Sequence, residues 1–313
     1  MSEESENKSI GCCGSSSTTN KSGNQDKNVR NEQTNIRKSI RNQYGAIATN
    51  KSDSTIQEAK ISDSSENCGC GYTNYSDKEI QSIPQGADLG LGTGNPVALA
   101  KILEGEVVVD LGSGAGVDCF LASKKTGPTG KVIGVDMTPE MVDRARRNKT
   151  QGDYSNVEFR LGEIEHLPVA DNSVDLLISN CVINLSLDKS QVFKDAYRVL
   201  KPGGRILISD VVLEDNFPAV IQKELDKMPG CVSRASTRED YIDVIEKAGF
   251  ERVEVVENID ITPQARPTRL KNGTVKRRIV ISGKEIEVEL TAEEDEKLET
   301  LVQKAHIQGF KPF

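Results

Sequence analysis

VVVDLGSGAGVD, residues 107–118, decides how the rest of the chain is read. Three valines run into an aspartate, and Gly112, Gly114 and Gly116 then alternate with other residues before VDCFLASKKT (117–126) begins. The apolar run reads as a strand buried on both faces. Glycines directly after it let the backbone turn sharply and pass close to a bound molecule. The next strand, KVIGVDM (131–137), carries Asp136 near its end, where a carboxylate can accept hydrogen bonds from both hydroxyls of a ribose. The spacing is G-x-G-x-G, with Val117 in the last place of the dinucleotide fingerprint, and there is no Walker lysine, so phosphate cradling is not favoured.

Outward from that loop, VEFRLGE (157–163), VDLLISN (174–180) and GRILISDVV (204–212) read as further buried strands. Helical stretches fall between most of them, among them PEMVDRARRN (139–148) and KSQVFKDAYRVL (189–200), the latter closed by Lys201-Pro202-Gly203-Gly204. REDYIDVIEKAGF (238–250) and RVEVVENIDI (252–261) add a helix and a strand. This alternation predicts an α/β fold: a Rossmann-like, doubly wound, mostly parallel sheet with helices on both faces.

The flanks differ from this core. Residues 1–66 contain no Leu, Phe or Trp and are rich in Ser, Asn, Lys and acids, a composition that cannot offset its ordering entropy, so a mostly disordered leader is expected. Within it Ile36, Ile40, Tyr44 and Ile47 recur at helical spacing, predicting a short amphipathic helix over about 35–48 that docks on the main domain, residues 67–265. Residues 266–313 read as a small C-terminal α+β appendage. VKRRIVI (275–281) and EIEVEL (285–290) form its hairpin, and Thr291 with Glu294 a capping box for a helix carrying Leu298, Leu301, Val302 and Ala305. The basic run VKRR (275–278) reads as a solvated strand edge.

A formal net charge of −8 over 313 residues gives no electrostatic case for nucleic acid or acidic lipid. No apolar run is long enough to span a bilayer, and MSEESENKSIG lacks a secretory h-region, so a soluble cytoplasmic protein is expected. Seven cysteines in a chain this rich in Lys and Glu do not resemble a disulfide framework; in a reducing compartment they are free, metal-binding or catalytic.

The motifs together resemble those of the class I S-adenosylmethionine-dependent methyltransferases, over roughly residues 75–265. DLGSGAG looks like their first motif, which implies that Asp110 faces the methionine end of the cofactor and that Gly112, Ser113, Gly114 and Gly116 border it. GVDMTPEMVDRAR resembles the second, implying Asp136 on the ribose and Met137 beside the adenine. LGEIEHLP (161–168) resembles the third-strand motif, with Glu163 at the adenine, and LKPGG (200–204) the loop before the fifth strand.

The cysteines narrow the reading. Cys119 lies within the apolar face of the first helix of the fold and reads as core. Cys181 follows the fourth strand, which in this class neighbours the first, so its sulfur is expected near the cofactor methyl; Asn180, just before it, reads either as shaping the pocket through its backbone or as an ordinary turn residue at a strand end. Cys231 sits in MPGCVSRAS (228–236) on the same edge of the sheet, and Cys68 and Cys70 in NCGCGY (67–72). Glycines flank all these sites except Cys181, which predicts accessible rather than packed sulfurs.

The whole arrangement resembles the arsenite S-adenosylmethionine methyltransferases, through ADLGLGTGNPVALA (87–100), SNCVINL (179–185), GCVSRA (230–235), IRNQYGAIA (40–48) and the CGC cluster. The resemblance implies methyl transfer to arsenite in arsenic detoxification, with Cys181 and Cys231 as As(III) ligands and Cys68 or Cys70 as the third. Thiolates suit a soft trigonal centre. The arsenic lone pair is itself the nucleophile, so no general base is needed, in keeping with only two histidines, His166 and His306. Methylation leaves arsenic oxidised; a thiol pair can reduce it by closing a disulfide, which a thioredoxin-like or small-thiol reductant reopens. The family commonly has cysteine where LGLGTGNP carries Thr93, and a hydroxyl cannot close a disulfide, which predicts a restricted product range. The competing readings are a structural zinc site, a quinone-type or other small-molecule methyltransferase on the same fold, and a non-enzymatic arsenic-sensing thiol module.

Overall fold

In the computed structural model the described residues are 22–50, 75–227, 230–260, 268–270, 273–281 and 284–313. The chain divides into two compact units, Met1–Arg37 and Lys38–Phe313. Helix α1 spans Ser22–Asn50, longer than its apolar spacing predicts, because the polar stretch before Ile36 contains no proline to stop it. Of the second unit's part of α1, Ile40 and Ala48 are buried, and Tyr44, Ile47 and Ala48 pack with Leu89, Ala115 and Met141.

After two short helices, α2 (Asp77–Gln81) and α3 (Pro96–Leu99), strands and helices alternate. Strand β1 (Val107–Leu111) leads to α4 (Val117–Thr126), β2 (Lys131–Asp136) to α5 (Pro139–Lys149), and β3 (Val157–Leu161) runs on to β4 (Val174–Asn180). A 3-10 turn (Ile183–Leu185), α6 (Lys189–Val199), β5 (Leu200–Leu213), α7 (Ala219–Leu225), a second 3-10 turn (Val232–Arg234), α8 (Arg238–Lys247) and β6 (Glu251–Asp260) follow. The seven-stranded sheet has the order β3-β2-β1-β4-β5-β10-β6, with β1 to β5 pairing in parallel. Side chains alternate across it: Val109, Leu111, Leu177 and Ile208 enter the core on one face, Val108, Leu176, Ile178 and Leu207 that on the other. The strand order reverses between β1 and β4, which opens the ligand-binding crevice of such sheets at their carboxyl ends.

The C-terminal region departs from the sequence reading in two ways. Strands β7 (Thr268–Arg269), β8 (Val275–Ile281) and β9 (Lys284–Leu290) form a separate antiparallel sheet, and α9 (Ala292–Leu298) has the expected Thr291–Glu294 capping box. The helix stops at Leu298, however, and Val302–Phe310 is β10, antiparallel to both β5 and β6. Leu298, Leu301, Val302 and Ala305 are spaced for a helix, but β5 and β6 would otherwise carry unpaired edges; tertiary pairing overrides local propensity. The last strand thus belongs to the main sheet. Nor is VKRR an edge. β8 is the middle strand, and Arg277 is 3% exposed, paired with Asp295 and, at 3.2 Å, Glu299, while Lys276 and Arg278 face outward.

Candidate active site

The glycine loop between β1 and α4 is held from beneath. The N–H groups of Gly112 and Ser113 both donate to the Val135 carbonyl, at 2.8 and 3.0 Å. Gly112 has φ +66, and a Cβ there would lie 2.4 Å from Val182 Cγ2, so only glycine satisfies both backbone and space. Asp136, at the end of β2, accepts the Gly114 N–H through Oδ2 at 3.0 Å and the Thr138 N–H through Oδ1 at 2.8 Å. It therefore fixes the loop from the end of β2. Met137 is half-buried beside it. Glu163 lies 3.7 Å from Arg41 of α1 and pairs through its backbone with His166.

Two acids stand at the head of the loop. Asp110 is buried and accepts the Cys119 thiol at 3.2 Å. Burial, reinforced by the neighbouring Asp118 charge, raises its pKa well above the usual carboxylate range. Asp118, in the first turn of α4, is lifted by burial to about 6 even though Tyr75 and Asn180 donate hydrogen bonds to it. Cys119 is fully buried, and burial beside Asp110 pushes its thiol up, so it is core as the sequence suggests.

Asn180 does more by its side chain than the sequence indicates. Its Oδ1 accepts the N–H groups of Thr93 and Gly94 at 2.9 and 3.1 Å, while the two N–H groups of Nδ2 are shared among Tyr75 Oη (3.0 Å), the Gly94 carbonyl (2.8 Å) and Asp118 Oδ2 (3.2 Å). The Tyr75 hydroxyl donates to Asp118 Oδ1 at 2.7 Å. Segment 87–100 is thereby latched to the end of β4. Sequence reasoning missed Tyr75 and Asp118; an acid in the first helical turn after a glycine loop was the one available signal.

These residues fit S-adenosylmethionine. Two buried carboxylates suit a ligand carrying positive charge, the Ser113 hydroxyl is buried without a hydrogen-bond partner, and a Cβ on Gly114 would meet nothing closer than Met141 Sδ at 4.0 Å.

The thiols lie on the same edge. Cys181 adopts φ 58, a left-handed conformation uncommon for a residue with a Cβ, and its N–H donates to the Ser209 carbonyl at 2.7 Å. The 3-10 turn that follows it packs against the turn that Cys231 caps. Cys119 and Cys181 carry thiols, whereas Cys231 is disulfide-bonded. Both sulfur-bearing residues are covered: Cys181 is 7% and Cys231 2% exposed. The expected accessibility is thus corrected, because the glycine-bracketed stretch around Cys231 closes into a turn instead of standing open. Cys68 and Cys70, like Cys12 and Cys13, lie outside the described residues. Among the described residues, no group of three or more His, Cys, Asp or Glu is arranged to hold a metal ion.

Nearby on β10, His306 is buried with Nε2 3.2 Å from Glu257, and burial together with Lys304 lowers its pKa to about 4. His166 is exposed. Thr93 is 1% exposed and its hydroxyl has no hydrogen-bond partner. Among the described residues no helix is long and apolar enough to cross a membrane.

A methyltransferase-domain family matches residues 102–249. The arsenite methyltransferase of Aquipseudomonas alcaligenes is 33% identical over 75% of this chain and 68% of its own length. The chain belongs to the arsenite methyltransferase family. The arsenite methyltransferase of Halobacterium salinarum is 51% identical over 70% of this chain, a match spanning 58% of that relative's length. Within the family, the crystal structure of an arsenic(III) S-adenosylmethionine methyltransferase from Chlamydomonas reinhardtii superimposes with a TM-score of 0.56 at 30% identity, covering 76% of this chain and 71% of that one.

Proposed function

We propose that this chain methylates arsenite held by cysteine thiolates, using S-adenosylmethionine, and so serves arsenic detoxification. The observation that carries the reading is Cys181: a cysteine in a left-handed conformation at the carboxyl end of β4, next to Val182, which packs against Gly112 of the glycine loop, with the 3-10 turn that follows it packed on the turn of Cys231. Backbone strain of this kind costs about 1 kcal/mol or more and persists where it positions a functional group.

S-adenosylmethionine, when bound, supplies a methyl group on a positively charged sulfur. Asp110 and Asp118 face its methionine end, Ser113 and Gly114 border it, Asp136 takes the ribose, and Met137 and Glu163 flank the adenine. Cys181 and reduced Cys231, with Cys68 or Cys70, hold As(III) as a soft three-thiolate substrate complex. Its lone pair carries no proton. The chain therefore contributes alignment and exclusion of water rather than a general base, in keeping with a His306 kept neutral and tied to Glu257.

The disulfide at Cys231 supports a redox step: a thiol pair that closes can reduce oxidised arsenic, and a thioredoxin-like or small-thiol reductant of the cytoplasm reopens it. Thr93, buried with a hydroxyl in place of a thiol, restricts the product range. The test is S-adenosylhomocysteine formation by the full chain with a thiol reductant. Arsenite is expected to stimulate it, and Cys181→Ser with Cys231→Ser to abolish that stimulation. Turnover indifferent to arsenite, or persisting in the double variant, would overturn the reading.

A further inference from the structure

Residues 209–211 of β5 grip the segment that carries Cys181 at two places. One step past the Asn180–Ser209 pair of the sheet, the Ser209 carbonyl accepts the Cys181 N–H at 2.7 Å. Three residues further on, Asn184 of the first 3-10 turn donates its backbone N–H to Asp210 Oδ2 (3.3 Å) and its Nδ2 to Asp210 Oδ1 (2.9 Å) and the Val211 carbonyl (2.6 Å). Asn184 and Asp210 are both fully buried. Asp210 also accepts the Val211 N–H at 2.9 Å and, from α8, the Tyr241 hydroxyl at 3.0 Å. Four donors thus fill the acceptor sites of one carboxylate, which an amide could match only in part and an apolar residue not at all. Between the two grips the chain has only Val182 and Ile183 in which to pass from strand into turn, and Cys181 takes the left-handed φ of 58.

Resting on the arsenite reading above, we propose that Asp210 is a positioning residue for the reaction: through Asn184 it holds Cys181 in its left-handed conformation and so aims the thiolate that captures As(III). A carboxylate buried in this way is a poor source of stability, because well-packed apolar residues serve as well or better. What it adds is placement. Hydrogen bonds one step behind a ligand fix that ligand's orientation, and losing them costs roughly 10–100-fold in affinity or activity at metal sites. The hold on Asn184 also extends to the second thiol. The first 3-10 turn packs on the second, which Cys231 caps, and Lys189 at the start of α6 donates to the Arg234 carbonyl of that second turn at 2.9 Å. Slack at Asn184 is therefore passed to the turn of Cys231.

The experiment is steady-state S-adenosylhomocysteine formation by the full chain with a thiol reductant over a series of arsenite concentrations. S-adenosylmethionine affinity is followed by calorimetry and stability by urea denaturation. Asn184→Ala keeps the carboxylate and removes the side-chain grip; Asp210→Ala removes the carboxylate. Each is expected to raise the arsenite KM about tenfold or more and to leave S-adenosylmethionine affinity within about twofold. Arg277→Met is the comparison, since it destabilises the chain from the separate sheet of β7, β8 and β9. Its arsenite KM should stay within about twofold of the wild type. Should Asp210→Ala fail to fold, Asn184→Ala and Arg277→Met carry the test. An arsenite KM unchanged in Asn184→Ala, or raised as much in Arg277→Met, would show the network to be structural only and overturn the proposal. Absence of arsenite-dependent turnover in the wild type would instead remove the arsenite reading, and this inference with it.

Discussion

The two sides of the crevice are built differently. On the cofactor side, Asp110, the glycines and Asp136 come from one continuous stretch, locked by short hydrogen bonds to β2. On the thiol side, Cys181 and Cys231 come from distant parts of the chain, next to two 3-10 turns that pack together. Cys181 is strained, Cys231 disulfide-bonded. A site assembled locally is rigid before any ligand arrives. A site assembled from separate turns depends on its redox state and on long-range packing, so changes on the two sides should have different signatures.

The largest separation is expected from Cys181→Ser. It should lower arsenite-dependent S-adenosylhomocysteine formation by about 10²-fold or more while leaving S-adenosylmethionine affinity within about twofold, because alignment is lost and the cofactor side is untouched. Equal losses in both, measured by turnover and calorimetry, would merge the two sides into one. Gly112→Ala should do the reverse. Its positive φ and the contact with Val182 should cost about 2 kcal/mol of stability in urea denaturation and weaken cofactor binding at least about tenfold.

Arg277→Met tests a region outside both. It leaves Asp295 buried without its partner and should destabilise the chain by about 2–3 kcal/mol, with cofactor affinity unchanged. The smallest effect concerns His306. Its folded pKa of about 4 lies below the ordinary imidazole value, so its contribution to stability is complete above pH 6.5 and is lost as pH falls toward 4. Urea midpoints at pH 7 and 4.5 should therefore differ less in His306→Gln than in the wild type. An equal or larger difference in the variant would show that His306 is not held neutral.

The same contrast explains what could be read in the sequence. β1, the glycine loop and Asp136 were legible because each signal is local: an apolar run, alternating glycines, an acid at the next strand end. β10 was not, since its residues satisfy helical spacing and only the open edges of β5 and β6 make them a strand. The Tyr75–Asp118–Asn180 network joins residues 105 and 62 positions apart, beyond any periodicity. Arg277 read as solvated because charge in a strand usually faces water, and its inward turn follows from Asp295 and Glu299 on a helix that folds back over β8. Cys181 was legible as a residue type at a strand end, but not in its left-handed backbone, where asparagine or glycine would ordinarily stand.

The most direct measurement is X-ray absorption at the arsenic edge of the full chain, reduced with a phosphine and loaded with one equivalent of arsenite. An all-sulfur coordination shell is expected in the wild type, with one sulfur fewer in Cys181→Ser and again in Cys231→Ser. An oxygen-only shell, or a sulfur count that neither substitution changes, would contradict thiolate capture at this edge of the sheet.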